Sequence, residues 1–134
     1  MTYGRDDATW SQLAEAGRAF LIERARLRRI TSYTELNTAL ERRTGLPGFD
    51  FAHADERAAI GHLLYMIVMR DWPETHLMLS ALVLYLNGND PGTGFYALAQ
   101  DLEMLPARPS TDKKEQFWVT QLGDLYEHYS GARG

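Results

Sequence analysis

No cysteine occurs among the 134 residues. Disulfides, thiolate metal sites and cysteine nucleophiles are therefore excluded, and a reducing compartment is the natural expectation. Histidine is sparse and scattered, at positions 53, 62, 76 and 128, without the His-Glu-x-x-His spacing that gathers a metal. The Gly-x-Ser-x-Gly motif, the P-loop lysine and the Rossmann glycine spacing are missing as well. His53 stands beside Asp55 and Glu56 in the manner of a supported general base. Acidic residues at a helix start already have a simpler role against the helix dipole, however. The sequence thus offers no catalytic residue, no metal site and no cofactor.

Long apolar runs are also lacking. The longest, residues 77–86, spans ten residues broken only by Ser80, about half of the roughly 20 that a membrane-spanning helix needs. The first seven residues are polar and charged, unlike a secretory leader, so a cytoplasmic protein without a membrane partner is expected. Low-complexity tracts and internal repeats are absent, and 134 residues at 45% hydrophobic suit one domain, 1–134, with a real core. Basic excess is missing overall, with a net charge of −4. Its distribution is uneven: residues 1–70 carry ten Lys and Arg against nine Asp and Glu, residues 71–134 four against nine.

What is present is organised around residues 77–99. The apolar run 77–86 leads into a loop with glycines at 88, 92 and 94, then into an apolar turn opening on Phe95. Periodicity does not separate a short buried strand from a buried helix. Leu, Met and Ala, with Pro73-Glu74 upstream, suit a helix; Val83, Tyr85 and the abrupt stop at Asn87-Gly88 favour a strand, apolar on both faces and so covered twice. The strand is the preferred reading. Gly92, Thr93 and Gly94 then precede a helix N-terminus, a geometry able to cradle an anion, although a tight connection explains the same residues.

Elsewhere the pattern is helical. A first helix is expected from Thr9, its N-cap, to Arg29, with Leu13, Ala16, Phe20 and Leu27 on one stripe and Glu23 among them, paired with a neighbouring arginine such as Arg26. Ser32 and Glu35 form a capping box for a second helix that ends near Arg43 and closes at Gly45. A third helix should run from Ala54 to Arg70, stopped by Trp72-Pro73, with Ile60, Leu63, Leu64 and Ile67 inward. Its other side carries His62, Tyr65, Met66 and Met69, which is not an ordinary solvated face. A fourth helix is expected from Phe95 to Leu105. A fifth, from Ser110 or Thr111 to Tyr129, carries a Trp118, Leu122, Leu125 and Tyr129 stripe, and residues 131–134 should fray. The fold class that follows is α+β and mainly helical: about five helices around one central apolar strand or small sheet.

The series Tyr33-x-Glu35-Leu36, Leu79-Ser80-Ala81-Leu82-Val83 and Pro91-Gly92-x-Gly94-Phe95-Tyr96-x-Leu98-Ala99, closed by the aromatic pair Phe117-Trp118, resembles an uncharacterised bacterial family of small proteins. The resemblance spans residues 30–129 and implies no established activity. More loosely, the order of elements is similar to the winged-helix domain of alkyltransferase-like DNA-binding proteins. The Pro-Cys-His-Arg motif of that group is missing, and Arg57, His62 and Arg70 are the sole polar candidates on the would-be recognition helix.

Two functional classes follow. In the first, a small non-enzymatic nucleic-acid module meets the phosphates of DNA or RNA through Arg18, Arg24, Arg26, Arg28 and Arg29, helped by the anion-binding loop at Gly92–Gly94. In the second, a protein–protein module, a dimeric adaptor or immunity-type protein, uses the His62, Tyr65, Met66 and Met69 face against a second copy or a partner.

Overall fold

In the computed structural model, which describes residues 1–85 and 90–131, the first helix starts on a carboxylate. Asp6 accepts the Thr9 N–H at 2.8 Å and caps α1 (Asp7–Arg26). That bond holds the Asp6 carboxyl below its usual range. Thr9, the expected cap, is thus the donor, because an acceptor three residues upstream reaches the orphan amides of the first turn. The helix also stops sooner than Arg29: Leu27 caps it, and Arg28, at φ 56°, turns the chain out.

Local signals are obeyed most closely in α2 (Tyr33–Thr44). Ser32 Oγ accepts the Glu35 N–H at 3.0 Å, and Gly45, at φ 72°, ends the helix. The Glu35 carboxylate goes elsewhere, accepting the Thr31 hydroxyl at 2.9 Å. In α3 (Ala54–Thr75) the helix continues past Arg70 and through Pro73. A proline this close to the end deletes one backbone bond, and the Thr75 hydroxyl donates to the Asp71 carbonyl at 3.0 Å in the same turn. His76, at φ 55°, makes the stop.

The central run departs most from expectation. Residues 77–84 are not one strand. Leu79–Leu82 coil into a 3₁₀ turn, and β2 is confined to Val83–Leu84. This segment is satisfied by α5 (Thr111–Gly131). Gln121 accepts the Met78 N–H at 2.8 Å, and the Trp118 indole donates to the Ala81 carbonyl at 2.9 Å. Coverage on both faces holds for Met78 through Leu84, all buried, whereas Tyr85, read among the covered residues, is 52% exposed because the strand ends at Leu84. The remainder of the run and loop, residues 86–89, and residues 132–134 of the expected frayed end lie outside the described residues.

β2 pairs in parallel with β1 (Thr31–Ser32), Thr31 opposite Val83 and Ser32 opposite Leu84. A wing is an antiparallel hairpin, whereas these two strands are parallel and separated in sequence by α2 and α3. The sheet therefore carries no winged-helix likeness. After it, α4 (Thr93–Asp101) begins earlier and ends sooner than expected, since Glu103 at φ 62° and the Met104 N–H on the Ala99 carbonyl close it. The result is a mainly helical α+β domain with one small sheet. In its middle α1 packs on α2, α3 and α5. At Gly17 of α1 a Cβ would stand 2.8 Å from Ile67 Cδ1 of α3, so a larger residue there would require the Ile67 side chain to shift. Among the described residues no helix is long and apolar enough to cross a membrane.

The N-terminal segment is laced onto this body. The Arg5 guanidinium grips the Glu56 carboxylate through two 2.9 Å bonds and lies 4.3 Å from the Phe49 ring centroid, while the Trp10 indole donates to the Thr2 carbonyl. Arg5 is the chief reason that the Glu56 carboxyl sits below its ordinary range. Arg5→Ala should cost about 2 kcal/mol at neutral pH, from charged hydrogen bonds and ring contact together. Because the folded state depresses this carboxyl, the contribution is present above the unfolded value near ~4.3 and is lost as pH falls through the folded one. The gap between urea titrations of parent and variant should therefore narrow in acid to the share that the Phe49 and Trp10 rings hold; a gap that stays constant with pH would remove Glu56 from the account.

Candidate functional site

The five arginines read as one patch do not form one. Arg18 leaves the patch for α3, donating to Asp71 at 2.7 and 3.1 Å. Arg24 lies over Phe20 and 3.7 Å from Glu35. Glu23 does pair with an arginine, but it is Arg43 of α2, in a bidentate bridge at 2.8 and 2.9 Å. That bridge, rather than the neighbours on α1, is the main cause of its lowered carboxyl pKa; Arg26 and Arg24 add to it. Arg26, Arg28 and Arg29 remain exposed with no ion pair among the described residues, flanked by the exposed Leu27 and Ile30.

The second surface is also divided. His62 is taken up by the chain itself, edge-on to Trp10 at 4.8 Å and close to Tyr3 and Tyr65. Met66 packs against the core cluster, and Met69 is half-buried. Tyr65, at 49% exposure, is what this face presents. The same N-terminal segment that binds Arg5 to Glu56 thus covers His62 on the side that sequence periodicity left bare. Of the polar candidates on α3, Arg57 donates to the Phe51 carbonyl at 2.7 Å and Arg70 is exposed.

A cleft that the sequence reading missed lies at the carboxyl ends of the two parallel strands. In parallel α/β packing this is where backbone direction opens a crevice. Each strand delivers a tyrosine there in the next position: Tyr33 opens α2 directly after Ser32, and Tyr85 follows Leu84. The rings stack, centroids 4.9 Å apart and planes 24° off parallel. Burial, with the Tyr85 phenol alongside, raises the Tyr33 hydroxyl well above its ordinary pKa, so it stays a neutral donor. Phe51, Arg57, Gly61 and Gly94 help to bound a cavity of about 680 Å³ around this pair.

A smaller cavity of about 220 Å³ shares Tyr33, Gly61 and Gly94 and continues inward to Ser80 and Phe95, with Asp101 at its border. Gly61 of α3 and Gly94 of α4 are exposed at its edge, and among the described residues a Cβ on either would meet nothing within 4 Å. Ser80 is 5% exposed, and its hydroxyl has no hydrogen-bond partner among the described residues. Buried hydroxyls are ordinarily paired, so an orphan lining a cavity is a group awaiting one.

The loop read as an anion cradle, Gly92 to Gly94, lies at the same cleft, with altered roles. Gly92 sits at φ 93°, ψ 171° as the N-cap of α4, and its N–H donates to the Asp90 carboxylate at 2.6 Å. The chain's own carboxylate thus already answers part of the helix N-terminus. Gly94 has ordinary helical geometry and lines both cavities. No three His, Asp or Glu gather as metal ligands among the described residues. Comparison of the chain with protein-family models, with curated proteins and with solved structures finds no match to any of them.

Proposed function

We propose that this protein is a non-enzymatic nucleic-acid-associated module. The observation that supports the reading is the basic corner at the end of α1: Arg26, Arg28 and Arg29 are exposed and free of ion pairs among the described residues, with apolar Leu27 and Ile30 beside them. Three guanidinium groups on one short turn suit consecutive phosphates of a strand, and each forms the paired hydrogen bonds that phosphate accepts. Arg18 and Arg24 are left out of this contact set because carboxylates already engage them. The acidic balance elsewhere favours a local contact over a coat.

The test is a fluorescence-anisotropy titration of labelled single-stranded and duplex oligonucleotides across a salt series. Changing Arg26, Arg28 and Arg29 together to Gln should weaken binding and reduce the logarithmic salt slope by about 2 on a single strand, at roughly 0.7 per phosphate released. Parent protein that retains neither DNA nor RNA at low salt rules this function out.

A further inference from the structure

We infer that the tyrosine cleft is a pocket for one unpaired nucleobase, so that the module reads a single-stranded or flipped-out nucleotide rather than intact duplex. The inference rests on the nucleic-acid reading above and names the substrate class of its recognition site. The chemistry of the walls is what selects the occupant. A planar, neutral ring gains most from the stacked Tyr33–Tyr85 platform, of which Tyr85 is 52% exposed. Phe51 on one side and Phe95 on the other add apolar wall. Stacking tolerates any base, and the orphaned Ser80 hydroxyl supplies the hydrogen bond that a base edge, unlike a lipid chain, completes in either direction. Together the cavities fall in the size range of small-ligand sites, about 300–1,000 Å³.

Charge around the cleft argues against a free multiply charged anion as the occupant. Arg57 at the mouth is opposed by Asp90, which accepts the Gly92 N–H beside the cleft, and by the exposed Asp101 at the border of the smaller cavity. A base attached to a continuing strand avoids this difficulty, because its phosphates stay outside. The path outward is short: Arg29 and Tyr33 are four residues apart in sequence, so at most about 14 Å of extended chain separates the basic corner from the platform. Phosphate contact at the corner and base insertion in the cleft thus fall within reach of one short oligonucleotide.

Three variants and two probes test the pocket. Tyr85→Ala should weaken a single-stranded homopolymer by roughly tenfold while leaving the salt slope unchanged, since stacking releases no counterions. Gly61→Leu, which places bulk in open space on a helix and improves helix propensity, should keep the melting temperature and abolish the preference for single strand over duplex. Ser80→Ala should hold or raise stability, because it deletes an unpaired buried hydroxyl, yet lower affinity. The second probe is a nucleoside without phosphate, titrated at millimolar concentration and followed by amide shifts of Gly61, Ser80 and Gly94. Shifts there in a protein that binds no strand would keep the pocket and remove the phosphate corner. Strand binding by the parent that Tyr85→Ala and Gly61→Leu leave unaltered, with no nucleoside shift, would overturn the pocket and keep the corner.

Discussion

Gln121→Leu is expected to destabilise the fold by about 3 kcal/mol, on the order of 10 °C in Tm for a domain of this size. Gln121 is 4% exposed and lies on α5, yet its hydrogen bonds go to a segment more than forty residues earlier: Oε1 accepts the Met78 N–H and Nε2 donates to the His76 carbonyl at 3.5 Å. Met78 is fully buried, so no water replaces a lost acceptor. Leucine matches the volume of glutamine closely enough that no large cavity opens, and the loss is therefore almost wholly polar. An unsatisfied buried amide alone costs about 1–3 kcal/mol. Gln121→Glu separates the pairing from the charge. It keeps an acceptor for Met78, but burial raises a carboxyl's folded pKa above its unfolded value of about 4.3. The stability of that variant should be greatest below this value and fall as pH rises through the folded pKa. Parent-like melting of Gln121→Leu would show that the 3₁₀ turn holds itself without α5.

The same bond explains which parts of the fold were legible in the sequence. Ser32 and Gly45 were read correctly because each signal and its partner lie within four residues, whereas the Glu35 half of the capping box was not, its carboxylate being taken by the Thr31 hydroxyl. The inward face of α3 was legible because Ile60, Leu63, Leu64 and Ile67 repeat at the helical period, and all four are buried. Residues 77–84 failed as a single strand because apolar character states that a segment is covered, not which backbone geometry covers it. The groups that decide the geometry, Gln121 and Trp118, are 43 and 37 residues distant from their partners.

The partners of the first-helix arginines were not legible for a related reason. Sequence proximity gathered Arg18, Arg24 and Arg26, but helix rotation aims Arg18 at Asp71 of α3 and Arg24 toward Glu35 of α2. The cleft left one readable trace. Tyr33 and Tyr85 each stand just after a short extended piece, and two aromatics at equivalent strand ends meet when the strands pair in register. Pairing between β1 and β2 was not itself legible, since two-residue strands carry no alternation to match.

Gly92 and Gly94, which the sequence presents as equivalent, should behave oppositely. Gly92→Ala is expected to cost about 3 kcal/mol. Its φ of 93° with ψ 171° lies in a region that L side chains scarcely enter, worth roughly 1–3 kcal/mol, and its Cβ would stand 2.3 Å from Tyr85 Cε2. Gly94 has no such requirement: it is helical, and a Cβ there meets nothing within 4 Å. Gly94→Ala should therefore stabilise by up to about 1 kcal/mol, the ordinary gain in a helix. The steric and conformational shares of the Gly92 penalty are separable by a double-mutant cycle with Tyr85→Ala. Removing the ring abolishes the collision and leaves the backbone strain, so the double variant should recover part of the loss. Full recovery would assign everything to the ring, and none would assign everything to φ. Equal melting of Gly92→Ala and Gly94→Ala would contradict both causes at once, since neither backbone angle nor ring contact would then distinguish the two positions.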